Sequence, residues 1–169
     1  MSVTSLRSST REVEFGFDGA VFIACFYSWP SRRVLAALAA AQTEHRRDYL
    51  RGYSLSIIPN FTTSAEASTL LQTPNREELA DLSISTGAQF EASTVANALV
   101  ILPNGMLGVM IRTFMATMMF NPRMRTKVAV LPTIADAEAH FRAVVNGPPM
   151  PERLAEGVEA WLQGKRVTL

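Results

Sequence analysis

Cysteine, histidine and tryptophan are scarce in this chain, with one, two and two copies among 169 residues. A lone cysteine, Cys25, cannot close an internal disulfide or build a cysteine-based metal site, which fits a reducing compartment. The two histidines, His45 and His140, show no H-E-x-x-H or comparable ligand spacing, so a histidine metal centre has no footing. An excess of one charge is missing too. Sixteen basic residues stand against 15 acidic ones, a net charge of +1, and no overall field draws nucleic acid or an anionic membrane. Basic and aromatic residues are not interleaved, which removes the stacking platform that single strands need. No run of about 20 apolar residues is present to span a bilayer. The opening "MSVTSLRSSTR" lacks the apolar centre of a signal peptide. From these absences we expect a cytoplasmic protein with no cofactor, no nucleic-acid partner and no membrane insertion.

What the chain does have is enough apolar material for a core. Its length suits one domain of ~100–200 residues, and such a chain hides about two thirds of its unfolded surface. Hydrophobic residues make up 48% and charged ones only 18%, with a mean hydropathy of +0.12. So little charge implies that a partner covers some apolar surface as well. We expect a flexible segment over 1–11, a single α/β domain over 12–163 and a tail over 164–169.

Period-2 alternation through Val13, Phe15 and Phe17 reads as a strand with one buried face. Asp18-Gly19 supplies the chemistry of a two-residue hairpin turn, and the return strand, Ala20 to Tyr27, is apolar on both faces. After Trp29-Pro30, Ser31 is placed to cap a helix running to about Leu50, with Gly52 as its stop. Along it Val34, Leu38, Ala41 and His45 share a face, while pairs such as Arg32-Arg33 and Arg46-Arg47 read as solvated. "YSLSIIPNF" is a short strand, and Thr73-Pro74 opens a helix to about residue 92. "VANALVIL" (95–102) and "KVAVLP" (127–132) are two more strands flanking a methionine-rich helix. Thr133 and Asp136 approach a capping box ahead of the stripe Ile134, Ala137, Phe141, Val144 and Val145. A last helix is striped by Leu154, Val158, Trp161 and Leu162. Strands alternating with helices predict an α/β fold: a single mixed, mostly parallel sheet that opens with a hairpin and carries helices packed on it.

The hairpin at "FDGAVFIACF", the helix start "TPNREEL", and "VANALVILPNGMLGVMIRTFMA" followed by "KVAVLPTIADAEAHF" together resemble the STAS-like (SpoIIAA-like) domains over roughly residues 12–162. The resemblance implies a regulatory or scaffolding module that binds other proteins and is not an enzyme. Classical members carry a phosphorylatable residue in a D-S/T-G-type turn. The corresponding "IIPNFTTSAEAST" lacks both the aspartate and the glycine, so Thr62, Thr63 and Ser64 do not inherit that role.

Candidate chemistry is sparse. Cys25 sits between Ile23, Ala24, Phe26 and Tyr27, the setting of an inert core cysteine and not of an electropositive reactive one. Carboxylate pairs, Glu77-Glu78 and Glu156 with Glu159, lie on polar helix faces, and sequence neighbours do not show the converging pair that acid–base work requires. "PNGMLG" (103–108) lacks the phosphate-loop patterns and is more simply a turn with left-handed geometry.

The methionine-rich helix, 106–121, is the most informative element. Six of the eight methionines lie between Met106 and Met124. Leu107, Met110, Ile111, Phe114 and Met118 follow helical spacing and form the expected sheet face. The opposite side is also apolar, so two covers are expected. The second is either a neighbouring helix of the same chain, foremost the C-terminal one carrying Trp161, or a subunit or other protein partner, for which the simplest form is a homodimer. The candidate interface comprises Val109, Arg112, Ala116, Met119 and Phe120. The alternative reading is a small-ligand or anion-binding domain, or a weak enzyme, that works at the carboxyl ends of the strands. Asn60, Asn104, Gly105 and Thr133 would line that edge, with Arg112 or Thr133 pointing in.

Overall fold

The structure is a computed structural model, and it describes residues 12–60, 93–119 and 127–166. Strands β1 (Val13–Asp18), β2 (Val21–Phe26), β3 (Gly52–Ile58), β4 (Thr94–Ile101) and β5 (Val128–Leu131) form one sheet. Helix α1 (Arg32–Asp48) joins β2 to β3, α2 (Gly105–Met119) joins β4 to β5, and α3 (Ile134–Arg142) and α4 (Leu154–Arg166) follow. The strands lie side by side in chain order. β1 pairs antiparallel with β2, and every later pairing is parallel. The α/β reading, a mostly parallel sheet opened by a hairpin, is the fold observed. The helix expected over 74–92 lies outside the described residues, as do Thr62, Thr63 and Ser64.

The hairpin turn is displaced by one residue from its expected place. Asp18 pairs with Val21, so the two loop residues are Gly19 and Ala20. Gly19 has φ 53, whereas Ala20 is not among the positive-φ residues. Positive φ at the first loop position alone is the type II′ pattern, which wants glycine there and tolerates alanine next.

Alternation along the strands sorts the core into two faces. Val21, Ile23 and Cys25 of β2, Tyr53, Leu55 and Ile57 of β3, and Ala96, Ala98 and Val100 of β4 face α3 and α4. There they bury Ile134, Ala137, Phe141, Leu154 and Val158 in one continuous cluster. Among the described residues, the other face carries two clusters. Val34 and Leu38 of α1 pack on Val13, Phe15, Phe22 and Ala24. Ile111 and Met115 of α2 pack on Ile58, Leu99 and Ile101.

Local chemistry explains the helix ends. Thr133 caps α3 by accepting from the Asp136 N–H at 3.1 Å, as its spacing predicts. Ser31 is the N-cap of α1 without a side-chain bond. Its own N–H instead donates to the Glu12 carboxylate at 2.7 Å, which sets a negative charge against the positive helix end. Gly52 does not stop α1, which gives way at Tyr49, but is the first residue of β3. A Cβ there would collide with the Ala20 carbonyl oxygen and the Arg46 guanidinium. Helix α3 ends at Arg142, leaving Val144 half-buried and Val145 84% exposed beyond it.

Candidate functional site

Helix α2 leaves β4 through Pro103, Asn104 and Gly105, and the φ of 69 at Gly105 matches the left-handed turn read from Asn104-Gly105. Its buried residues are Gly108, Ile111 and Met115. Gly108 sets the rotation of the helix, because a Cβ there would collide with the Pro103 carbonyl oxygen. This close approach turns Met110 outward, to 63% exposure. Met110 therefore does not belong to the sheet face on which the sequence reading placed it.

Met106 and Val109 are exposed as well, at 82% and 56%, along with Thr113 and Ala116. Positions 106, 109, 110, 113 and 116 follow i, i+3, i+4, i+7 spacing and make one stripe along the helix. No acidic residue stands in the first turn of α2 and no basic residue in the last. Arg112, its one charged residue, is half-buried and does not project from the stripe. One of its terminal nitrogens donates to the carbonyl oxygens of Ile101 and Pro103, at 3.0 and 3.1 Å. The arginine in the middle of an apolar helix thus satisfies the backbone where β4 ends, a charge-assisted role that lysine's point charge fills less well. Phe120 and the side chains of Leu107, Phe114, Met118 and Met119 lie outside the described residues.

The helix carrying Trp161 does not supply a second cover for α2. Trp161 and Leu162 pack into the cluster built on Ala98 and Val100, whereas α2 packs on Leu99 and Ile101. Successive strand residues point to opposite faces, so the sheet separates the two helices.

At the carboxyl ends of the strands, Asn60, Asn104, Gly105 and Thr133 are all exposed. The two groups expected to reach into a ligand site there are already engaged. Thr133 bonds both the Asp136 N–H and, at 2.5 Å, the Asp136 carboxylate, while Arg112 is committed to backbone carbonyls.

Several other titratable groups are tied into the fold. Cys25 is fully buried within β2, as expected. Burial and the neighbouring Cys25 and Glu14 push the Tyr27 hydroxyl well above its ordinary pKa, and this hydroxyl donates to the Glu14 carboxylate at 3.1 Å. His45 lies between Phe17 and Tyr49, with ring centroids 4.2 and 4.9 Å away. Its Nε2–H donates to the Gly19 carbonyl at 2.8 Å and so holds the hairpin turn against α1. Burial lowers the His45 pKa below 6.5. Glu156 pairs with Arg153 at 3.1 Å on an exposed surface. Glu77 and Glu78 lie outside the described residues. Among the described residues, no group of three or more histidine, cysteine, aspartate or glutamate side chains is placed to hold a metal. No helix among them is long and apolar enough to cross a membrane.

Among the described residues, the most distinctive surface feature is therefore the exposed, uncharged stripe of α2. Comparison adds no relative to it: no family model, curated protein or solved structure matches the chain.

Proposed function

We propose that the chain is a non-enzymatic protein-interaction module, STAS-like in plan, that acts through the outer stripe of α2. The observation that carries this reading is the exposure of Met106, Val109 and Met110 on one helix side. Methionine adapts to irregular partner surfaces and is enriched in interface cores. Full burial of each large side chain would contribute about 1.5–3 kcal/mol, part of it offset by the cost of association. With no charge on the stripe, an acidic or basic partner finds nothing to pair with, and an apolar surface is the natural complement. A second copy of the chain is the simplest such surface, since a twofold axis lays a stripe against itself. The hairpin-first, otherwise parallel sheet also supports the STAS-like plan.

The ligand-edge reading has less support, because Arg112 and Thr133 both spend their polar groups on their own chain. Sedimentation velocity tests the main reading. The wild type should run heavier than a Val109→Glu, Met110→Glu variant, both at the same concentration and with unchanged circular dichroism. Equal monomer masses for the two proteins would remove self-association through this stripe.

A further inference from the structure

A second feature lies at the other end of the strands, where α1 turns back into β3. Arg46 was read from sequence as part of a solvated pair, and Arg47 is indeed exposed. Arg46 is half-buried, and its guanidinium lies over Gly52, in space that any other residue's Cβ would fill. The Ala20 carbonyl oxygen crowds the same glycine and accepts from the Tyr53 N–H at 3.0 Å. The hairpin turn, the end of α1 and the start of β3 therefore meet at one point.

His45 holds that point together through both ring nitrogens. The Gly19 carbonyl can only accept, so Nε2 carries the proton of the neutral ring. Nδ1 is then an acceptor, and Arg46 donates to it from Nη1 at 3.5 Å. On the far edge of the guanidinium, Nε and Nη2 are buried and meet no acceptor among the described residues. The neutral form of His45 is thus what holds the arginine in place. A second proton on the ring would sit on Nδ1, turn that acceptor into a donor and set two cations face to face. Arginine does not give up its own proton, so the conflict can be relieved only by movement. Exposed residues 47–51 flank the way out.

The other charges around the ring leave this balance in place. On α1, Asp48 favours a charged ring and Arg46 opposes one. Arg51 lies in the exposed turn into β3. From the hairpin, the Asp18 carboxylate is turned toward Gly157 of α4 and so toward the opposite face of the sheet. Burial is the largest influence on the His45 pKa, which lies below 6.5.

We propose that His45 and Arg46 form an acid-released latch, in which protonation of His45 drives the Arg46 guanidinium off Gly52 and into solvent while the sheet stays intact. At neutral pH the ring is uncharged and the latch is closed. As the pH falls through the lowered His45 value it opens, because the released state binds the proton more tightly. Acid then places a new positive charge on the surface at the amino ends of β3 and β4. The latch is separate from the α2 stripe and stands or falls independently of it.

The test uses the full chain and NMR between pH 7.5 and 4.5. It follows the His45 ring together with the nuclear Overhauser contacts between the Arg46 side chain and the Gly52 α-protons. These contacts should be present at pH 7.5 and fade with the His45 midpoint, while the Leu55 and Val100 amide resonances hold their positions. Removing the cation in Arg46→Gln should raise the His45 midpoint by at least about half a pH unit. In His45→Gln, which cannot titrate, the Arg46–Gly52 contacts should persist at pH 4.5. The proposal is overturned if the wild-type contacts are missing at pH 7.5, if they outlast the titration of His45, or if the ring stays neutral throughout. Leu55 and Val100 amides that shift with the same midpoint also overturn it, since acid then loosens the sheet itself. So does an unchanged His45 midpoint in Arg46→Gln, or loss of the contacts in His45→Gln. The wild-type titration decides the matter even if a variant fails to fold.

Discussion

Among the described residues, the two faces of the sheet are covered in different ways. On one, α3 and α4 share a continuous core with three strands, and a polar clamp ties them together. Glu138 accepts from Arg142 at 2.6 and 2.9 Å, and its other oxygen accepts from the Ala155 N–H at 2.7 Å, near the start of α4. Arg142 also donates to the carbonyls of Pro151 and Glu152. One ion pair thus caps a helix start and fastens the intervening loop. On the other face α1 and α2 hold separate clusters, and no comparable clamp joins them among the described residues. On that face the outer side of α2 presents Met106, Val109 and Met110 to water, an apolar stripe that water covers poorly.

This contrast can be broken by substitution. Phe141, fully buried on the continuous face, should cost about 3–5 kcal/mol as Phe141→Ala. Met115→Ala, in the smaller α2 cluster, should cost nearer to 2 kcal/mol. Urea unfolding of the two variants measures both, and equal losses would mean that the faces are packed alike. A smaller effect is expected from the clamp. Glu138→Ala leaves the Ala155 N–H without its acceptor and Arg142 without its partner, a loss of about 1–2 kcal/mol. Unchanged stability in that variant would reduce the contrast to apolar packing alone.

The smallest effect is a pH dependence on the α1 side. Burial holds the His45 pKa in the folded chain below its ordinary 6.5, so the unfolded chain binds more protons as the solution turns acidic. Stability from the neutral ring is present above about pH 6.5 and is lost as pH falls through the lowered value. Melting temperature should therefore drop from pH 7.5 to 5.5, and His45→Gln should flatten that slope. An identical slope in the variant would place the titration elsewhere.

Much of the fold was legible because strands announce themselves by alternation. Val13 and Phe15, the runs in β2 and β4, and the Thr133 cap all lie where period and turn chemistry put them. The interaction surface was legible only as a helix. When nearly every position of a helix is apolar, periodicity carries no phase, and nothing local tells Met110 from Ile111. The phase is set by the contact of Gly108 with the Pro103 carbonyl, a tertiary fact. Arg112 was hidden for the same reason, since its acceptors belong to the end of another element. Arg46 was misread as solvated because a neighbouring Arg-Arg pair on a helix ordinarily is. The contact of its guanidinium with Gly52, six residues on, is likewise a tertiary fact.

The spatial order of the five strands, identical to their order in the chain, bears on how the protein is made. Among the described strands, none is slotted between two that precede it in the chain. Such an order allows the β1–β2 hairpin to pair through local contacts as the ribosome releases the chain, and each later described strand to add to an existing border. Synthesis at ~5–20 residues per second leaves time for each addition before the next strand emerges. Among the described strands, the border made last is β5, and it is the one beside α2.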